Sequence, residues 1–256
     1  MTRKIIAIVL AGGYAKRLWP LTLDKPKALL PVAGKPIINY IVEKLVSLEP
    51  PLSEIILSTN LKFLSQFEEW LENGKYHNMK IIPDESRSER EKLGAVKALA
   101  DIVDKIDGEE TLVLAGDSLF TDRLEGFVRF FHKRHVATVA LYHARNLAET
   151  RKGSSVTINE SNMIQEFVEK PSNPKSTVVG ACLYVFPTGI IGRLKEYLTL
   201  GQTTDEPGRF IEWLYLQEPV YGYLLKDYLW DIGTIDSYKA ADEHFARRLR
   251  ENKRIY

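Results

Sequence analysis

Cysteine is almost absent from this chain of 256 residues. Cys182 stands alone, which excludes an intrachain disulfide and a cysteine zinc cluster. Within the apolar run ACLYVF it reads as a buried core thiol, neither nucleophile nor ligand. Histidine is sparse as well: His77, His132, His135, His143 and His244 are scattered without metal-ligand spacing. No hydrophobic run approaches the length of a membrane span. The first apolar stretch, behind Arg3 and Lys4, breaks at Gly12-Gly13, too soon for a signal peptide. Charge of one sign is missing too, since the net charge is +1. No global field therefore draws the chain to nucleic acid or membrane, and any cationic site must be local. The terminal RRLRENKR lacks interleaved aromatics and reads as a solvated helix face. No Gly/Ser-rich or Pro-rich linker divides the sequence, and no repeat of about 20 to 50 residues is visible. These absences point to a cytoplasmic protein of one domain, 1–256.

Hydrophobic periodicity fills that frame. After the run IIAIV, the spacing predicts a helix over 36–48, a strand over 54–58 and a helix over 63–71 closed by Gly74. A strand over 80–83, a helix over 95–106, a strand over 111–115, a helix over 124–132 and a strand over 137–143 follow. Repeated strand–helix–strand units imply right-handed crossovers and an α/β fold: a mainly parallel, Rossmann-like central sheet flanked by helices. From Gly153 the rhythm changes. Shorter strands are expected over 155–159, 164–169 and 178–186, helices over 189–198 and 209–217, and strands over 220–225 and 228–230. A closing helix starts at Ile235. The halves are 1–145 and a smaller lobe with the closing helix, 146–256.

Chemistry concentrates at a few places. Leu10, Ala11, Gly12 and Gly13 leave the first strand into a loop carrying Lys16, Arg17, Lys25 and Lys27, stiffened by Pro20, Pro26 and Pro31. Backbone amides exposed by glycines approach a polyphosphate closely, and fixed cations on the same loop neutralise it. Asp117 follows the strand TLVLAG, at the end where open α/β sheets build sites. Asp231 follows a second short strand. Read alone, either aspartate is equally a helix N-cap or a turn residue. Glu169-Lys170-Pro171 leaves a strand with a carboxylate able to accept hydroxyl bonds and a movable point charge suited to phosphate.

In their order, LAGGYAKRLWPLT, PKALLPV, GDSLF, EKP and WDIGT resemble the signature segments of sugar-1-phosphate nucleotidylyltransferases, such as glucose-1-phosphate thymidylyltransferases. The resemblance implies that Arg17, Lys27 and Asp117 serve catalysis and that Asp117 and Asp231 bind a catalytic Mg2+. It places the nucleotide on Leu10, Ala11, Gly12, Gly13 and the turn at Gly94. The sugar phosphate falls to Gly153, Glu169, Lys170 and Gly180, in a sugar-binding second half. The implied reaction joins a nucleoside triphosphate to a sugar 1-phosphate and releases pyrophosphate. A pyrimidine triphosphate, dTTP or UTP, and glucose 1-phosphate are the first expectations. A GDP-mannose-type enzyme, an alditol or cofactor-phosphate nucleotidyltransferase, and a non-catalytic nucleotide-sugar-binding subunit are the alternatives. Both aspartates together with Arg17 and Lys27 argue against the last, because a binding module has no need of a metal pair. No nucleic-acid or membrane partner is expected, and members of the family are often homo-oligomers. No hexapeptide-repeat segment is present, so an accompanying acetyltransferase is not expected.

Several positions depart from the family pattern. Ala15 replaces a third glycine, which a tight loop tolerates if φ is negative. Lys16 replaces threonine, Lys152 a tyrosine and Lys97 a small residue. TTDEPGRFIEWL, 203–214, stands where a G-E-x-x-I-T-D-like segment is usual, leaving Arg209 as either a substrate contact or a surface residue.

Overall fold

A computed structural model describes residues 4–74, 76–106 and 108–252. Arg3, and the Lys253 and Arg254 of the terminal basic segment, lie outside the described residues. The first strand, Ile5–Leu10, is apolar almost throughout because both of its faces are covered. Alternate side chains diverge, with Ile5, Ala7 and Val9 entering one core and Ile6 and Ile8 another. This strand pairs in parallel with Glu54–Asn60 and Glu110–Ala115, and Glu54–Asn60 pairs in parallel with Met79–Asp84. Helices Ile37–Val46, Leu64–Gly74 and Glu125–His132 cover one face. Ala95–Val103, Ile190–Thr199 and Pro207–Leu214 cover the other.

The main sheet has seven strands in the order Tyr221–Leu224, Thr138–His143, Val178–Phe186, Glu110–Ala115, Ile5–Leu10, Glu54–Asn60, Met79–Asp84. The mainly parallel sheet between helices is thus present. One strand departs from the simple alternation: Val178–Phe186, from beyond residue 146, lies antiparallel between Glu110–Ala115 and Thr138–His143. Its long apolar run requires cover on both faces, which only an interior position supplies. A separate hairpin, Ser154–Ile158 with Ile164–Glu169, packs Val156, Ile164 and Phe167 into the second core of the main sheet.

Element boundaries shift for local reasons. The helix expected over 209–217 starts at Pro207, whose fixed φ suits a first helical turn, and ends at Leu214. Gly74 is the last helical residue rather than a left-handed cap. A third core joins Leu18 and Leu30 of the front loop to Leu119, Ile232, Ala241 and Phe245. It fastens the front loop, the turn after Asp117, the turn after Asp231 and the closing helix to one another. Among the described residues no helix is long and apolar enough to cross a membrane.

Candidate active site

The carboxyl ends of Ile5–Leu10, Glu54–Asn60, Met79–Asp84 and Glu110–Ala115 open onto a cleft of about 570 Å³. Leu10, Gly12, Gly13, Arg17, Lys27, Gly94, Asp117, Gly153, Glu169, Lys170, Gly180 and Asp231 all line it. Ala11 does not. Its amide donates to the Ser58 carbonyl at 2.8 Å, and its methyl group packs on the core.

The front loop is held from below by Leu18, which is buried in the third core. Ala15 corrects an expectation: its φ is 46° and its ψ 44°, so the loop keeps the left-handed turn a glycine would give, with alanine in it. The Thr22 hydroxyl donates to the Ala15 carbonyl at 2.8 Å, and the Leu18 amide donates to the same oxygen at 2.9 Å. Lys16 pairs with Glu89 at 2.6 Å. Arg17 is exposed and lies beside Gly233, where a Cβ would stand 3.4 Å from its Nη2.

Gly116 lets the chain turn sharply at the strand end. A Cβ there would lie 3.1 Å from that of Ala11 and 3.2 Å from the Leu10 carbonyl oxygen. The next residues, Ser118–Leu119, pair antiparallel with Trp230–Asp231, and Asp231 sits opposite Ser118. Two carboxylate-bearing turns, far apart in sequence, therefore come side by side, and neither aspartate caps a helix. Lys27 ties them. Its ammonium meets Asp117 Oδ2 at 2.5 Å and also donates to the carbonyl of Ile232, next to Asp231. Asp231 is exposed to the cleft. Among the described residues no group of three or more His, Cys, Asp or Glu gathers in metal-binding fashion. A pair of carboxylates is the donor set of a hard cation that takes its other ligands from water and phosphate.

At the other end, Gly153 and Gly180 are demanded by packing of the hairpin on the sheet. A Cβ at Gly153 would lie 2.8 Å from Val179 Cγ1, and one at Gly180 would lie 2.7 Å from Phe167 Cε2. Lys170 adopts φ 48°, an unfavourable backbone state of the kind stored at functional sites. Its ammonium pairs with Glu206. Glu169 lies against the backbone of Gly208. Burial, with the charge of Glu206 second, pushes its carboxyl up to about 7 against the opposing Lys170 and Arg209. Arg209 is committed to Glu212 at 2.8 Å and Glu206 at 3.3 Å, so it is an organising residue of the helix start.

Gly94, at φ 87°, turns into Ala95–Val103, and a Cβ there would lie 2.7 Å from the Thr204 carbonyl carbon. The Thr204 carbonyl accepts from the Val96 amide at 2.8 Å, while its hydroxyl donates to the Leu93 carbonyl at 3.0 Å. Lys97 pairs with Asp101 along the helix surface, away from the cleft lining. Cys182 is half-buried on the cleft floor instead of lying wholly in the core. Burial, with Asp117 second, pushes its thiol up to about 12, so it stays unreactive near neutrality.

Sequence reasoning missed Asp84, Tyr142, Lys92, Asp205 and Glu206, all of which line the cleft. Asp84 ends a strand just as Asp117 follows one, so the same positional rule would have found it. Tyr142 is kept a neutral donor by burial, reinforced by the charge of Asp231. The others carry no local signal.

A family model described as nucleotidyl transferase matches residues 6–248. The bifunctional protein GlmU of Methanocaldococcus jannaschii is 30% identical over 89% of this chain and 51% of its own length. The mannose-1-phosphate guanylyltransferase of Mycobacterium tuberculosis is 28% identical over 97% of this chain and 66% of its own. The chain thus spans between half and two thirds of the length of these two relatives. A crystal structure from Bacillus anthracis, provisionally named a glucose-1-phosphate thymidylyltransferase and bound to sucrose, superposes with a TM-score of 0.83. It is 24% identical, and the match covers 95% of both chains, a likeness of fold.

Proposed function

We propose, since this chain belongs to the nucleotidyl transferase family, that it transfers a nucleotidyl group from a nucleoside triphosphate to a sugar 1-phosphate. The observation that carries this reading is Lys27, which joins Asp117 to the carbonyl beside Asp231 at one end of a cleft whose other end holds Glu169 and Lys170. An oxygen of the sugar phosphate attacks the α-phosphorus, the new P–O bond forms, and the α–β bridging bond breaks to release pyrophosphate. All the participants are anions, so charge compensation dominates the barrier. Arg17 holds the leaving pyrophosphate, Lys27 stands at the point of attack, and Lys170 receives the sugar phosphate. Ionised Glu169 accepts from sugar hydroxyls. Asp117 and Asp231 would hold a magnesium ion, which screens the charge on the reacting phosphates when bound.

The base is read from Asp84 and departs from the pyrimidine expectation. Its Oδ1 is held by the Ser86 amide at 2.8 Å and the Ser86 hydroxyl at 2.5 Å, while a Cβ on Gly12 would lie 3.6 Å from its Oδ2. Oδ2, the oxygen that Ser86 leaves free, accepts from the adjacent N–H groups on the edge of guanine. Uracil and thymine offer one N–H between two carbonyls, which a carboxylate repels. GTP is therefore the preferred donor, in keeping with the name of the Mycobacterium relative.

The test is a turnover panel in Mg2+, with five triphosphates against glucose 1-phosphate and mannose 1-phosphate and with pyrophosphate detection. GTP should exceed dTTP and UTP in kcat/KM by more than about tenfold, or about 1.4 kcal/mol. A preference for dTTP or UTP would restore the pyrimidine reading. Asp117→Asn and Asp231→Asn should each lower turnover by orders of magnitude with unchanged circular dichroism. A wild-type rate in Asp231→Asn would remove that residue from the mechanism.

A further inference from the structure

The segment 203–206 straps the Gly94 turn to the Lys170 turn, two parts of the cleft lining. Thr204 is bonded to Leu93 and Val96, on either side of the Gly94 turn, and Asp205 pairs with Lys92 at 2.6 Å. The next residue, Glu206, pairs with Lys170. Lys170 is the cation assigned above to the sugar phosphate, so its ammonium is already engaged by an anionic oxygen of the protein. A carboxylate and a phosphate monoester offer the same thing to a lysine, a charged oxygen acceptor.

We infer, on the proposed reaction, that Glu206 is a built-in stand-in for the sugar phosphate and sets the affinity for that substrate by competing for Lys170. The exchange is easy to accomplish. Glu206 also accepts from Arg209 Nε at 3.3 Å, so it keeps a cationic partner when the lysine turns away. The Lys170 side chain is 47% exposed and that of Glu206 27%, so the pair is accessible to an incoming anion and weak enough to open. Arg209 in turn is anchored by Glu212 at 2.8 Å, which keeps the released carboxylate on the helix start. Asp205 and Glu206 thus each neutralise a lysine of the cleft lining.

The experiment is a double-mutant cycle read as separate KM values for the two substrates. Glu206→Gln should lower the KM for the sugar 1-phosphate about two- to fivefold, the range of an exposed ion pair. kcat and the KM for the triphosphate should stay near wild type. In a Lys170→Met background the same substitution should change neither KM when assayed at about pH 9, where Glu169 is ionised whether or not the charge of Glu206 is present. A raised sugar-phosphate KM in Glu206→Gln would make Glu206 a direct substrate ligand and overturn the inference, as would no change or an equal effect without Lys170. Turnover by the wild-type protein tests the proposed reaction separately. If no sugar 1-phosphate is consumed, that reading fails first, and calorimetric titration of both proteins with glucose 1-phosphate decides the inference. Tighter binding to Glu206→Gln supports competition for Lys170, and equal or weaker binding ends it.

Discussion

Glu169 is subject to two opposed demands. The proposed contact with sugar hydroxyls calls for the ionised carboxylate, while burial favours the neutral acid and the nearby charge of Glu206 adds to it. Lys170 and Arg209 pull the other way, Glu212 adds to the upward push, and the carboxyl settles at about 7 against an ordinary 4.5. Between those values the folded protein holds a proton that the unfolded chain has lost. The sign follows directly: this group's contribution to stability is largest at the acid end and is lost as pH rises through about 7. On the proposed reaction, kcat/KM for the sugar phosphate should run in the opposite direction and rise through the same interval. Thermal unfolding from pH 5 to pH 8 should show a slope in the wild type that Glu169→Gln flattens. An identical slope in the variant would assign it to other groups.

The turn at Gly94 depends on more than a loop's freedom. Its φ of 87° is reserved for residues without a Cβ, and the space a Cβ would need is filled by Thr204. Gly94→Ala combines a backbone penalty of about 1–3 kcal/mol for this glycine-type conformation with displacement of the strap. We expect a loss of roughly 2 kcal/mol or more in urea denaturation, and a KM for the triphosphate raised severalfold. Gly13 is the comparison. Nothing lies within 4 Å of its absent Cβ and its φ is not in the left-handed range. Gly13→Ala should leave stability within about 0.5 kcal/mol, any effect falling on triphosphate binding. Equal destabilisation by both would mean that the strap does not constrain the Gly94 turn.

Over the whole molecule, the central position of Val178–Phe186 makes the two halves of the chain interdependent. Removing it leaves Glu110–Ala115 and Thr138–His143 with bare edges and opens both cores, since its side chains contribute to each. A fragment of residues 4–145 should therefore lack a cooperative urea transition followed by circular dichroism, while the full chain shows one. A cooperative transition in the fragment would make residues 4–145 an independent folding unit.

Much was legible from one dimension. Alternation and helical spacing located the strands and helices to within a few residues, because side-chain periodicity is set by the local backbone. The charged groups and glycines the sequence singled out were legible for a similar reason: Gly12, Gly13, Arg17, Lys27, Asp117, Glu169, Lys170 and Asp231 belong to short segments whose chemistry is written in adjacent residues. Ala15 was misjudged because a non-glycine residue in a left-handed turn is held there by its surroundings, here Leu18 and Thr22. The insertion of Val178–Phe186 was not legible, because strand order is decided by which faces must be covered once every helix is placed. Nor was the strap, since Thr204 to Val96, Asp205 to Lys92 and Glu206 to Lys170 join residues that only the folded chain brings together. Residue types and their spacing set which groups are able to handle phosphate and which stretches can be strands or helices. Which charges meet, which are buried and which lysine is already taken depended on the folded chain, because Coulomb attraction and desolvation depend on distance through space and not along the chain.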